Sequence, residues 1–166
     1  MRRVVTGVGT LGKSTIVSDG APPTAFHAQQ ADAPAGSIAK VDGAWSQVTV
    51  PDHEAVVHEL WSLTEQPQAG IEDPTVAVDE ATFELPPAAT KWILTEMGPH
   101  LFTPMHSTVT VDYGLVLEGE VELGLEDGST MLRAGDAVLV DAVRHSWRAG
   151  PYGCKIATVQ VGIPVT

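Results

Sequence analysis

Two groups of residues have the types and spacing that chemistry requires. Near the start, Gly7-Val8-Gly9-Thr10-Leu11-Gly12-Lys13-Ser14-Thr15 satisfies two nucleotide-binding patterns at once. Gly7, Gly9 and Gly12 spell G-x-G-x-x-G, while Gly7, Gly12, Lys13 and Ser14 spell G-x-x-x-x-G-K-S. Much later, His106 and Asp112 precede His145. Two imidazoles and one carboxylate converging on a hollow form a proton-transfer centre, or a 2-His-1-carboxylate set suited to Fe, Mn, Ni or Zn.

The glycine loop works on phosphate only if a strand enters it and a helix leaves it, because the free N–H groups of the helix start hold the anion. Downstream stands Ser14-Thr15-Ile16-Val17-Ser18-Asp19-Gly20-Ala21-Pro22-Pro23, which is rich in β-branched residues and stopped by a double proline. No helix of useful length fits. The stretch reads as two short strands, RRVVT and KSTIVS, joined by a glycine-rich turn, and no nucleotide is expected.

Composition narrows the partners. The 166 residues carry 21 acidic against 9 basic side chains, a formal charge of −12, which repels phosphate backbones and anionic membranes. Nucleic acid and membrane are therefore not expected. No apolar run approaches the ~20 residues that span a bilayer. With no secretory signal in view, the expected location is the cytoplasm. The single cysteine, Cys154, cannot form an intramolecular disulfide or a thiolate cluster and reads as a buried structural thiol.

The elements that must position the histidines are strands. Residues 21–50 show neither a helical nor a strand period, and His53 to Trp61 alternates in a way that favours strand. From residue 81 onward short strands follow one another: 81–85, 90–97, 105–117, 120–126, 129–133, 136–141, 144–149 and 154–161. Turns are expected at Gly98-Pro99, Glu118-Gly119, Asp127-Gly128, Ala134-Gly135 and Gly150-Pro151. Eight strands in so short a stretch leave no room for crossover helices. His106, Thr108 and Asp112 share parity on their strand, and His145 and Trp147 share it on theirs. Trp147 therefore lines the wall beside His145. On the earlier strand, either Trp92, Leu94 and Glu96 or Ile93, Thr95 and Met97 face inward.

The stretch PMHSTVTVDYGLVLEGEVELGLEDGSTMLRAGDAVLVDAVRHSW, residues 104–147, resembles the cupin barrel. The first motif of that family reads H-x-H-x(3,4)-E-x6-G, and the second opens on G-D and closes on a histidine. His106 matches the first histidine, Asp112 the glutamate and Gly119 the closing glycine, while Gly135 and His145 match the ends of the second motif. Thr108 stands where the family carries its second histidine. Asp141-Ala142-Val143 replaces the P-x-G of the second motif, whose spacing is one residue short. The wording from Met105 through Asp112-Tyr113-Gly114 to Gly119 resembles a subgroup of small bacterial cupins, many of them near natural-product or aromatic-metabolism pathways.

The resemblance implies an all-β fold: a single jelly-roll β-barrel over residues 81–166, with residues 1–80 forming an N-terminal β arm packed on it. It implies His106, Asp112 and His145 as the catalytic set and, where one divalent transition metal is held, as its ligands. Thr108, Trp147, Trp92 and Met105 are the expected substrate contacts. The leading expectation is a cyclase, isomerase or dehydratase acting on a polyketide-like small molecule. Alternatives are a metal-dependent dioxygenase or decarboxylase and a non-catalytic small-molecule cup. A homodimer is expected, with the RRVVT strand donated across the interface as one option.

Overall fold

A computed structural model describes residues 2–28, 38–40, 50–76 and 82–164. Among these, every regular element is a strand, so the all-β expectation holds. The two N-terminal strands, β1 (Arg3–Val8) and β2 (Ser14–Gly20), form an antiparallel hairpin of their own. The glycine loop between them closes through Gly9 N–H donating to Lys13 O at 2.9 Å, and a strand rather than a helix leaves it.

The other strands are β3 (Thr24–Ala28), β4 (Ile38–Lys40), β5 (Ala55–Leu63), β6 (Thr90–Met97), β7 (Phe102–His106), β8 (Thr110–Leu125), β9 (Gly128–Arg133), β10 (Ala137–Asp141) and β11 (His145–Gly162). They share one antiparallel sheet in the order β10-β8-β11-β6-β5-β3-β4, with β9 on β8 and β7 on β11. The strand expected over 81–85 is irregular over 82–85, and residue 81 lies outside the described residues. Conversely, β3 and β4 fall in the stretch read as lacking a strand period. The sheet runs from β6 into β5, so it crosses the expected 80/81 division, which itself lies outside the described residues.

Two long strands set the geometry. Along one side of β8, β10 pairs with residues 111–115 and β9 with residues 120–125. Along one side of β11, β7 pairs near residues 145–148 and β6 with residues 154–161. Both long strands change partner midway, beside Gly119 on β8 and Gly153 on β11. Gly119 has φ 71° and Gly153 φ 76°, a region L side chains rarely adopt. A Cβ on Gly119 would run into the carbonyl oxygen of Gly153, and one on Gly153 into that of Met97. The expected turns at Glu118-Gly119 and Gly150-Pro151 are thus bends inside continuous strands.

The sheet is not closed into a barrel among the described residues, because its hydrogen-bonded path ends at β10 and β4 without joining them. That corrects the expected closed barrel. Backbone donors of β6 are taken by β5, and those of β5 by β3, so pairing extends the sheet instead of returning to its start. The β8–β9 hairpin lies where expected, but Leu125 pairs with Gly128, placing the turn at Glu126-Asp127. The core packs Met97, Leu101, Val116, Val121, Cys154 and Ile156 together, with Trp147 against them. Burial pushes the Cys154 thiol up to about 11, as an inert structural thiol requires.

The hairpin is rooted by one buried cation. Arg3 Nη1 donates to Leu60 O at 2.8 Å and to Thr75 Oγ1 at 2.9 Å, and its guanidinium pairs with Asp73. That ion pair and the Thr75 bonds hold the Asp73 carboxyl below its usual value, against the opposing effect of burial.

Candidate functional site

His106, at the end of β7, and His145, at the start of β11, are direct partners in the antiparallel register. Their ring centroids are 4.4 Å apart with planes inclined at 53°. Cross-strand neighbours face the same side of a sheet, so the pairing alone brings the side chains together.

Each ring is oriented by the chain just before it. His106 Nδ1 lies 2.8 Å from Pro104 O, and His145 Nδ1 lies 2.9 Å from Val143 O. A carbonyl oxygen only accepts, so each Nδ1 donates and each Nε2 keeps its lone pair. Val143 follows Ala142, a non-glycine residue at φ 52°, and this strained corner presents the carbonyl that holds His145.

His145 is buried, and burial is the main cause that lowers its pKa below the ordinary histidine value. The nearby His106 lowers it further, while the bond to Val143 and the charge of Asp112 act the other way. The neutral ring is thus the favoured form. Because the folded state resists protonation, His145 contributes stability that is complete above the unfolded value of about 6.5 and is lost as pH falls below it. Urea unfolding from pH 7.5 to 5 is expected to show stability decreasing toward acid, with a shallower decrease in His145→Gln.

Trp147 meets the edge of the His145 ring, with centroids 5.5 Å apart and an interplanar angle of 75°. It forms an aromatic wall beside the imidazoles. Asp112 is opposite Gln160 on β11, and its Oδ2 accepts from Gln160 Nε2 at 3.0 Å. Asp112 therefore acts on His145 through its charge. Its buried Oδ1 has no hydrogen-bond partner among the described residues. Thr108 lies in the break between β7 and β8 and shares a 2.7 Å hydrogen bond with the hydroxyl of the buried Thr110. That break means parity cannot be carried from His106 through to Asp112. Met105 precedes His106 on β7 and is half-buried.

Trp92 is on the other side of the sheet. Ile93, Thr95 and Met97 pair with Thr158, Ile156 and Cys154 on the core face, which leaves Trp92 on the outer face and 47% exposed. Sequence reasoning did not single out Gln160, or the carbonyls of Pro104 and Val143. Register locates the first; the others become visible only in three dimensions.

A metal that the family resemblance implies would need donors that converge. Among the described residues, no three His, Cys, Asp or Glu side chains form a group able to hold a metal ion. Asp112 gives its Oδ2 to Gln160 and keeps its buried Oδ1 without a partner among the described residues, and Thr108 supplies only a hydroxyl that is itself bonded. His106 and His145 are the members of the expected set that the strand register brings side by side.

No family model matches the chain. Over 53 residues it is 42% identical to a cupin-domain-containing oxidoreductase of Hypocrea virens, covering 31% of this chain and 27% of that protein. Over 44 residues it is 46% identical to the oryzines biosynthesis cluster protein J of Aspergillus oryzae, covering 26% of this chain and 25% of that protein. A cupin-2 domain containing protein from Shewanella frigidimarina overlays at 20% identity with a TM-score of 0.40, covering 51% of this chain and 76% of that one. The chain thus spans about a quarter of the length of these curated relatives. Among the described residues, no helix is long and apolar enough to cross a membrane.

Proposed function

We propose that this chain, which belongs to the cupin superfamily, is a small-molecule enzyme of natural-product biosynthesis that works by proton transfer between His106 and His145. The observation that carries the reading is the paired imidazoles, 4.4 Å apart, each with Nδ1 bonded to a backbone carbonyl, which leaves the lone pair on Nε2. One Nε2 removes a proton from the substrate, that proton passes to the Nε2 of the other ring, and the second ring returns it elsewhere on the substrate. Burial keeps His145 neutral and ready as the base. Trp147 gives an apolar surface for substrate, and Asp112 steadies the imidazolium when it forms. Isomerisation, cyclisation and loss of water need no more than this pair and an oriented substrate.

A second reading is an oxidoreductase, favoured by the names of relatives such as that of Hypocrea virens. The mass of the product separates the two. The protein is incubated with polyketide-like and aromatic metabolite pools, with and without a chelator, and followed by mass spectrometry and an oxygen electrode. Proton-transfer chemistry gives a product of unchanged mass, or one lighter by a single water, with no oxygen uptake and no loss on chelation. A product gaining oxygen atoms or losing two hydrogens, abolished by the chelator, makes the protein an oxidoreductase. A third reading, a non-catalytic cup, is left if ligand binds without turnover.

A further inference from the structure

Two turns clasp the entry to β5 and the exit from β6, and each carries a histidine that the chemistry above does not use. The chain enters β5 through Asp52-His53 and leaves β6 through Pro99-His100. Main chain joins the turns twice: His53 N–H donates to Pro99 O at 2.9 Å, and Gly98 N–H to Glu54 O at 2.7 Å. A third bond, from His100 N–H to Gly150 O at 3.2 Å, holds the second turn on β11. A Cβ on Gly98 would run into Pro51 O, so the turns lie against each other at backbone distance.

Both histidines leave ordinary backbone. His53 has φ 65° and His100 φ 58°, a region that few residues other than glycine enter. Their side chains are exposed, and the ring centroids lie 6.1 Å apart with planes inclined at 38°. His53 Nδ1 lies 3.2 Å from His100 O. The carbonyl only accepts, so Nδ1 carries the proton and the lone pair of His53 is on Nε2. Neither ring nitrogen of His100 has a hydrogen-bond partner among the described residues.

We propose that His53 and His100 together hold one borderline divalent transition ion, Zn²⁺, Ni²⁺ or Cu²⁺, in a two-imidazole surface site completed by water. The separation of the rings carries the inference. Imidazole nitrogen binds such ions at ~2.0–2.1 Å, which puts each ring centroid about 3.2 Å from the ion and limits two rings sharing it to about 6.4 Å. The observed 6.1 Å lies inside that limit, so turning two exposed side chains is enough and the clasped backbone stays in place. Neutral imidazole suits ions of this class, whereas Mg²⁺ and Ca²⁺ take oxygen ligands. A chain of formal charge −12 attracts cations to its surface as well. The bound ion cross-links the entry to β5 with the exit from β6, fastening the β3–β4–β5 part of the sheet. His100 stands just before β7 and His106 at its end, on the order of 15–20 Å along the chain, so one ion does not serve both pairs. The inference is independent of the chemistry at His106 and His145.

Isothermal titration calorimetry of the tag-free full chain with NiCl₂ tests it, beside His53→Asn, His100→Asn and His106→Gln. Asparagine also enters the left-handed region, so the first two variants remove a ring and keep the turns. The parent is expected to bind one Ni²⁺ that each Asn variant binds at least 10-fold more weakly, with an unchanged circular dichroism spectrum. His106→Gln is expected to bind that ion as the parent does, and MgCl₂ in place of NiCl₂ to give no saturable heat. A parent that takes up no Ni²⁺ overturns the proposal. So does uptake that survives both Asn variants, and its loss in His106→Gln would place the ion at the strand pair instead.

Discussion

Replacing His145 by alanine is expected to remove turnover almost completely, by about 10²- to 10⁴-fold in kcat/KM, the usual worth of a positioned acid or base. The side chain is buried, packed against Trp147 and paired across strands with His106, so its removal leaves one imidazole where the reaction uses two. Truncation also opens a space the size of an imidazole. Added free imidazole is therefore expected to restore part of the activity to His145→Ala, measured as product formed against imidazole concentration. A purely structural histidine predicts the opposite: activity that follows the folded fraction and ignores added imidazole. Near-UV circular dichroism at the assay temperature separates the two.

The largest expected effect on stability belongs to Gly153→Ala. This residue holds β11 at the point where it leaves β7 and joins β6, with φ 76° and the carbonyl of Met97 where a Cβ would go. A methyl group there meets a left-handed backbone penalty of about 1–2 kcal/mol and, in addition, a clash with main chain that cannot rotate away. The sum is on the order of 4 kcal/mol, a large part of the stability of a domain this size. Gly70→Ala is the control. Its φ is 78°, but nothing lies near the new methyl, so it is expected to cost only the conformational part. Urea denaturation of both variants checks the contrast; equal midpoints would mean that the corner yields and does not fix the strand.

Local pattern made much of this fold legible. The alternation in TKWILTEM gave β6 over Thr90–Met97, and the turn residues after Val8 gave the β1–β2 hairpin. The pairing of two histidines distant in the chain came from motif wording, since nothing local in Pro104-Met105-His106 and Val143-Arg144-His145 says that these segments meet. Three features were not legible. A glycine in the left-handed region can reverse a strand or merely bend it, and Gly119 and Gly153 do the second, because long-range partners continue the ladder on both sides. Period-two alternation names two faces but not which is inside, so Trp92 fell on the outer one. Closure of the sheet depends on where β5 and β3 pair, and the sparse apolar signal in residues 21–50 hid that.

The central claim is that His106 and His145 stand side by side with their Nε2 lone pairs free. Two-bond ¹H–¹⁵N correlation spectra of the histidine rings, with side-chain assignments from single His→Gln variants, test it without any substrate. The account predicts that at neutral pH both rings carry their proton on Nδ1, show a nuclear Overhauser contact to each other, and that His145 remains neutral as pH falls through 6.5 and below. A proton on Nε2 of either ring, or two rings with no mutual contact, would contradict it.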